Sequence, residues 1–232
     1  MLLLFDIDAT LISTGGAGIR AMVDAGRELF GPGFHAQGLE FAGRLDTLIT
    51  RDMFRVSGVT PDAAMAKAFR ERYLHYLRER LASEGQARAL PGVLDVLARL
   101  EREGGAALGL LTGNFAETGS AKLLACGIDP RRFDIHVWCD DCPHEPPTRD
   151  GLPPVGIKRF EEKYGRALEP GLVTIIGDTP HDVRCAKVNG CRVLAVATGS
   201  FGVEELRAAG ADEVVKDLSS SEAVVRWLMG GA

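Results

Sequence analysis

Short apolar segments recur along the chain and predict the strands of a buried sheet. Four of them are rich in Leu, Ile or Val, namely Leu2–Phe5, Ala107–Leu111, Leu172–Ile176 and Arg192–Ala197. Most run directly into small or polar residues. Strands covered on both faces lose the alternation of polar and apolar positions, which is typical of parallel sheets flanked by helices.

Helical patterns lie between these strands. Val93–Glu103 is amphipathic and stops at two glycines, and Phe115–Cys126 stops at Gly127. Pro180–Asn189 begins with a proline after Thr179, a potential N-cap residue. Alternating strands and helices predict an α/β fold, a doubly wound (Rossmann-like) parallel sheet with helices on both faces.

Residues 15–88 have a different pattern. They contain three helical segments and no convincing strand: Gly18–Phe30, Asp46–Val56 and Pro61–Ser83. A segment of about 70 residues is too long for an ordinary connection between strands. We therefore expect an all-helical cap at 15–88, inserted into an α/β core formed by 1–14 and 89–232.

Composition narrows the class of protein. Hydrophobic residues make up 46% and charged residues 25%, which is typical of soluble globular proteins. The 32 acidic residues exceed the 27 basic ones, whereas a nucleic-acid binder usually has the opposite excess. No apolar stretch reaches the roughly 18 residues of a membrane span. We expect a cytoplasmic monomer or small homo-oligomer with no nucleic-acid or membrane partner.

The cysteine pattern predicts no disulfide framework, because five cysteines are an odd number in a chain large enough to fold without cross-links. His136, Cys139, Cys142 and His144 lie close together and could in principle bind zinc. However, residues 133–139 resemble a strand, which would send neighbouring side chains to opposite faces. The proline-rich segment Cys142–Pro154 is expected to be a stiff loop, so we favour a purely structural role for these residues.

Acidic residues follow two of the apolar strands. Asp6 and Asp8 come directly after the first strand and point to the same side of an extended chain. Asp178 ends a later strand, and Asp182 lies in the next helical turn, where the helix dipole alone would favour it. Ligands of open α/β sheets bind at this edge. Buried carboxylates are costly without compensation, and Mg²⁺ prefers oxygen ligands.

A third strand end offers groups of a different chemistry. Thr112, Gly113 and Asn114 follow the strand at Ala107–Leu111 and precede a helix. A hydroxyl beside the free N–H groups of a helix N-terminus favours phosphate. Asn114 could equally serve only as the cap of that helix.

Taken together, Asp6-Ile7-Asp8-Ala9-Thr10, Thr112-Gly113-Asn114 and Gly177-Asp178 with Asp182 resemble the haloacid dehalogenase superfamily. The helical insertion after the first strand resembles its phosphoglycolate-phosphatase-like members, and the resemblance covers essentially the whole chain. It implies a Mg²⁺-dependent phosphatase acting on a small phosphorylated metabolite.

The resemblance also implies roles for individual residues. Asp6 would be the nucleophile that forms a phosphoaspartyl intermediate, and Asp8 would be a general acid and then a general base. Thr112 would hold the transferring phosphoryl group, with Gly113 and Asn114 assisting through backbone donors.

The implied metal site consists of acidic residues. Asp6, the Asp8 carbonyl and Asp178 would be ligands of Mg²⁺, and Asp182 would be a ligand or would support one. An acid at Asp8 suits an alkoxide leaving group, so phosphate ester hydrolysis is favoured over carbon–halogen cleavage.

The sequence departs from the family pattern at two positions. Ala9 stands where the family usually has glycine, and a Cβ there would add strain if φ is positive. The family's Lys-Pro is also absent. Arg149 lies in the expected loop and is favoured for the basic position, with Lys158 in the following helix as the alternative.

Substrate choice is expected to depend on the cap. Phe41–Asp46 resembles a loop that overhangs the site, so Arg44 is a candidate for recognising a substrate carboxylate or second phosphate, or else for pairing with Asp46. Two alternative functions remain open, a phosphosugar mutase and a weakly active or non-catalytic phosphate-binding protein.

Overall fold

Six parallel strands form the central sheet of the computed structural model, which describes residues 1–230. The last two residues of the expected core, 231 and 232, lie outside the described part. In chain order the strands of this sheet are β1 (Leu2–Phe5), β4 (Ala107–Leu111), β5 (Ile135–Val137), β6 (Val173–Gly177), β7 (Arg192–Val196) and β8 (Glu213–Val215). The order across the sheet is β5-β4-β1-β6-β7-β8.

Strand β1 lies between β4 and β6, and this placement determines where the polar residues meet. Phe5 pairs in parallel register with Leu110 of β4 and with Ile176 of β6. The residues that follow these three strands therefore emerge side by side at one edge of the sheet. The predicted α/β fold is confirmed.

Helices cover both faces of the sheet. The α-helices of residues 1–230 are α1 (Ala17–Phe30), α2 (Asp46–Val56), α3 (Ala63–Ser83), α4 (Val93–Glu103), α5 (Ala116–Ala125), α6 (Leu152–Tyr164), α7 (Pro180–Val188), α8 (Val203–Ala208) and α9 (Ser221–Leu228). Successive residues of β1 alternate between two cores, because Leu3 and Phe5 pack with α4, α5 and α9 while Leu2 and Leu4 pack with α6 and α7.

Helices α1, α2 and α3 follow one another in the segment between β1 and β4. Helix α1 packs along α3. Four aromatic rings join all three helices, since Phe54 and Phe69 have centroids 5.1 Å apart and both contact Phe30 and Phe34. A two-stranded antiparallel ribbon, β2 (Ile12–Ser13) and β3 (Arg88–Ala89), joins the two ends of this helical segment.

Most predicted elements agree with the structure to within two residues, and the exceptions have physical reasons. The proline-rich segment was wrongly expected to be a loop throughout, because α6 already begins at Leu152. Pro153 and Pro154 occupy its first turn, where the missing N–H would have no helical partner. The ribbon strands of two residues and the short β8 are too brief for a period to be seen.

Within residues 1–230, no helix combines the length and the apolar character that crossing a membrane would require. All five cysteines are free, in agreement with the sequence prediction.

Candidate active site

A cavity of about 460 Å³ lies where β1, β4 and β6 end. Its floor includes Asp6, Asp8, Thr112 and Asp178 from the sheet edge. Its other wall comes from the start of α1 and from the loop at residues 41–46 before α2. The three separated motifs therefore line one partly open cavity.

Three carboxyl groups crowd together beside this cavity. Oxygen atoms of Asp6, Asp178 and Asp182 lie within 4.8 Å of one another, and all three residues are buried. Burial raises the pKa of Asp6 to about 6, although the Arg149 charge opposes the shift. Burial, reinforced by Asp182 and Asp6, raises the pKa of Asp178 to about 8.

This arrangement fits a divalent cation. The raised pKa values of Asp6 and Asp178 mean that the positive charge nearby is too small to offset the burial of their ionised forms. Asp178 makes no ion pair within residues 1–230, and its Oδ1 is 3.4 Å from the Thr10 hydroxyl. A cluster of carboxylate oxygens matches the ligand preference of Mg²⁺.

Arg149 occupies the basic position next to Asp6. Its Nη2 lies 3.2 Å from Asp6 Oδ1 and also pairs with Asp182. Burial opposes the charge, but Asp182 and Asp6 raise the pKa of Arg149 above its ordinary range, so the guanidinium stays protonated. Its Nε is buried without a hydrogen-bond partner in the described part of the chain.

Lys158, the alternative basic residue, lies outside the site. Its side chain is 76% exposed on α6, where it lies 3.8 Å from Glu162. The loop position separates the two candidates, because Arg149 directly precedes α6 and Lys158 is about two turns into it.

Asp182 links Arg149 to the start of α7. One carboxylate oxygen accepts hydrogen bonds from the N–H and hydroxyl of Thr179, at 3.0 and 2.7 Å. The other oxygen pairs with Arg149. Asp182 is therefore a helix-capping residue and also holds the arginine that contacts Asp6.

Thr112 and Asn114, which follow β4, line another part of the cavity. Asn114 is buried, and its side-chain amide donates to Thr112 Oγ1 and to Asp8 Oδ2, both at 2.9 Å. Asn114 does not cap α5, because the N-cap position belongs to Phe115, whose N–H donates to the Asp46 carboxylate at 3.2 Å. The Gly113 N–H makes no hydrogen bond with the described residues.

Lys122 is a site residue that sequence reasoning missed. It lies on α5, is 5% exposed, and its Nζ is 2.6 Å from both Asp8 Oδ2 and Asn114 Oδ1. A signal was present in the sequence, because Asn114, Thr118 and Lys122 are spaced four residues apart and fall on one helical face.

Comparison with known proteins gives the family. The model of the haloacid dehalogenase-like hydrolases matches residues 3–196. The chain belongs to this family.

The chain is similar in sequence to a curated protein, and in structure to solved proteins, over nearly its whole length. The Probable phosphatase IndB of Dickeya dadantii (strain 3937) is 24% identical over 218 residues, covering 94% of this chain and 90% of that protein. A predicted phosphoglycolate phosphatase from Haemophilus somnus 129pt has a similar structure, with a TM-score of 0.69, 19% identity and 96% coverage of both chains. CbbY from Rhodobacter sphaeroides in complex with phosphate has a TM-score of 0.68, with 21% identity and 94% coverage of both chains.

The position that usually carries glycine in this family has a strained backbone here. Ala9 has a φ of +57° and is the one non-glycine residue with positive φ in residues 1–230. Its N–H donates to the Ile12 carbonyl at 2.8 Å, and its own carbonyl accepts from the Thr198 hydroxyl. These two hydrogen bonds hold the turn after β1 in the left-handed conformation despite the Cβ of Ala9.

The loop before α2 rests against the sheet edge. The Asp46 N–H donates to the Gly113 carbonyl at 2.6 Å, and a Cβ on Gly113 would lie 2.2 Å from the Arg44 carbonyl oxygen. Only a glycine allows this approach. Arg44 lines the cavity, but its guanidinium pairs with Asp52 at 2.6 Å rather than with Asp46.

Asp46 is itself a buried group at this contact. Burial raises its pKa to about 7, against the opposing charge of Lys122.

The cysteine and histidine cluster forms no metal centre in the described part of the chain, where Asp6, Asp178 and Asp182 are the one set of three ligands that meets. The Cys142 sulfur accepts a hydrogen bond from the Thr148 N–H, and Cys139 is buried in the core.

We expect Ala9→Gly to stabilise the protein. An L-residue in the left-handed region costs about 1–2 kcal/mol, and the greater freedom of an unfolded glycine offsets about half of this. Urea denaturation should show an increase of about 0.5–1 kcal/mol in the free energy of unfolding. Ala66→Gly in the exposed interior of α3 is the matched control and should lower it by about 1 kcal/mol. A loss of stability in both variants would contradict the strain at Ala9.

Removal of the buried guanidinium should have a much larger effect. Arg149→Met leaves Asp6 and Asp182 buried without their partner, which should cost about 3–5 kcal/mol of unfolding free energy near pH 8. The loss should shrink at pH 5, because burial raises the pKa of Asp6 to about 6 and the orphaned Asp6 carboxyl group takes up a proton there. Lys158→Met should change stability by less than about 0.5 kcal/mol. Equal losses in the two variants, measured by urea denaturation, would contradict the assignment.

Proposed function

We propose that the chain is a Mg²⁺-dependent phosphatase that hydrolyses a small phosphorylated metabolite through a phosphoaspartyl intermediate on Asp6. The observation that carries this proposal is the meeting of Asp6, Asp8, Asp178 and Thr112 in one cavity. Acidic oxygens, a hydroxyl and a fixed guanidinium together suit phosphoryl transfer.

Asp6 is the proposed nucleophile. Its carboxylate attacks phosphorus, a bond from phosphorus to the carboxylate oxygen forms, and the bond to the leaving oxygen breaks. Arg149 lies 3.2 Å from this carboxylate and supplies a positive charge beside the attacking group. That charge reduces the repulsion between a carboxylate and an anionic phosphate.

Asp8 is the proposed acid and base. It donates a proton to the leaving oxygen in the first step. In the second step it accepts a proton from the water that attacks the phosphoaspartyl group, which releases phosphate and restores Asp6. Its side chain is 42% exposed into the cavity, so it has room to contact a leaving group.

The transferring phosphoryl oxygens would contact Thr112 and the free N–H of Gly113. Thr112 Oγ1 is held by the Asn114 amide at 2.9 Å, which leaves the hydroxyl hydrogen available as a donor. These donors are fixed before the substrate arrives, so they need no reorganisation during the reaction.

Mg²⁺ would be held by the carboxylates of Asp6 and Asp178 and by the backbone carbonyl of Asp8. When bound, the ion would offset negative charge on the phosphate. Asp182 supports the site by holding Arg149, since both of its oxygens already have partners.

We further propose that residues 15–88 act as a cap over a core formed by 1–14 and 89–232. A cavity of about 460 Å³ suits a small substrate rather than a macromolecule. Arg44 remains our candidate for a second acidic group of the substrate, with its charge shared with Asp52. The similarity to a probable phosphatase and to a structure of CbbY in complex with phosphate supports this substrate class.

Asp6→Asn should abolish turnover while leaving the fold intact. An amide cannot form the phosphoaspartyl bond, so kcat for a generic phosphate ester should fall by at least about 10³-fold. Asp217→Asn, in the half-buried connection between β8 and α9, is the matched control. Steady-state phosphate release measures both, and unchanged turnover by purified Asp6→Asn protein would overturn the proposal.

Mg²⁺ should stabilise the folded protein. At about 100 times its dissociation constant a ligand adds about 2.7 kcal/mol, and each kcal/mol shifts Tm by about 2–4 °C in a chain of this size. We expect the shift in thermal unfolding at pH 8 and above, its reduction as the pH falls from about 8 through about 6 and first Asp178 and then Asp6 takes up a proton, and its loss in Asp178→Asn. The same Mg²⁺ shift in Asp178→Asn as in the wild type would contradict the proposed ligand set.

A further inference from the structure

Lys122 makes an unusual set of contacts for a lysine. Its ammonium lies 2.6 Å from Asp8 Oδ2 and 2.6 Å from Asn114 Oδ1, and Asn114 Nδ2 donates to the same Asp8 oxygen at 2.9 Å. Two donors from one helix and its preceding loop thus converge on a single oxygen of Asp8.

Helices α1 and α3 limit the space around the end of the Lys122 side chain. Tyr73 of α3 is fully buried, and Gly18 of α1 has no side chain to fill the space beside Lys122. A Cβ on Gly18 would lie 3.3 Å from Lys122 Nζ and 3.4 Å from the Tyr73 hydroxyl. Lys122 therefore has little freedom to leave Asp8 while α1 and α3 cover it.

The charge of Lys122 is secure in this buried place. Burial opposes it, but Asp8 and Asp46 raise the pKa of Lys122 above its ordinary value. A buried ammonium is costly unless it is paired, and the contacts with Asp8 and Asn114 supply that pairing.

We infer that Lys122 is a positioning residue that holds Asp8 Oδ2 and thereby presents Asp8 Oδ1 to the leaving group. This inference rests on the proposed function. Asp8 Oδ1 accepts no hydrogen bond from residues 1–230, whereas Oδ2 accepts two. A carboxyl group bound through one oxygen keeps a fixed orientation, and proton transfer requires that the donor lie within hydrogen-bond reach of the reacting oxygen.

The step affected is the departure of the alcohol. As the Asp6–phosphorus bond forms and the ester oxygen leaves, the Asp8 Oδ1–H bond breaks and its proton goes to that oxygen. An alkoxide needs this proton, whereas a nitrophenolate is stable without it. Loss of positioning should therefore slow alkyl esters much more than nitrophenyl esters.

The experiment compares kcat/KM for propyl phosphate and p-nitrophenyl phosphate, with Mg²⁺, in the wild type and in Lys122→Met. We expect a loss of about 10²-fold on the alkyl ester and of less than about 5-fold on the nitrophenyl ester. Lys67→Met, an 80% exposed lysine on α3, is the control and should change neither value. Thermal unfolding checks that each variant is folded.

A second variant tests position without removing the charge. Gly18→Ala places a methyl group 3.3 Å from the lysine ammonium, a tight contact, while alanine favours the helix, so the protein should still fold. We expect a loss of about 3- to 10-fold on the alkyl ester alone. This result would stand even if Lys122→Met failed to fold.

The outcomes separate the inference from the proposed function. Equal losses on the two esters in Lys122→Met, or no selective loss on the alkyl ester in Gly18→Ala, would overturn the positioning role while leaving the phosphatase proposal intact. Failure of the wild-type protein to hydrolyse either ester would overturn both.

Discussion

The crowding of buried carboxyl groups at one sheet edge is the constraint on which the site depends. Asp6, Asp178 and Asp182 have oxygens within 4.8 Å of one another and almost no contact with water. Charge of one sign cannot be concentrated in this way without compensation. Arg149 compensates Asp6 and Asp182 through direct ion pairs. Asp178 has no such partner within residues 1–230, so a divalent cation is the simplest remaining source of positive charge.

Both the sheet and the helical segment contribute to the structure of this edge. Because β1 lies between β4 and β6, residues far apart in sequence must emerge together. The helical segment then closes the cavity through backbone contacts, such as Asp46 N–H to Gly113 carbonyl at 2.6 Å. Gly18 and Tyr73 of this segment also lie beside Lys122. Asp8 is thus held by residues of α5 and its preceding loop and lies below the helical segment, which connects coverage of the cavity to the position of the Asp8 carboxyl group.

Much of the fold could be predicted from the sequence, because buried parallel strands such as Leu2–Phe5 and amphipathic helices such as Val93–Glu103 carry strong periodic signals. The three acidic and hydroxyl motifs could also be predicted, since each follows an apolar strand. Lys122 could not be, because its importance comes from a contact with Asp8 across 114 positions of sequence. Choosing Arg149 over Lys158 likewise required knowing where α6 begins, and the two prolines of its first turn obscured that boundary.

The central claim, that these carboxylates hold a catalytic cation, is tested most directly by a crystal structure with Mn²⁺ in place of Mg²⁺. Anomalous diffraction locates such an ion independently of any assumption about its ligands. We expect one strong peak in contact with Asp6, Asp178 and the Asp8 carbonyl. A fully formed cavity without a peak there, at a Mn²⁺ concentration that supports turnover, would contradict it.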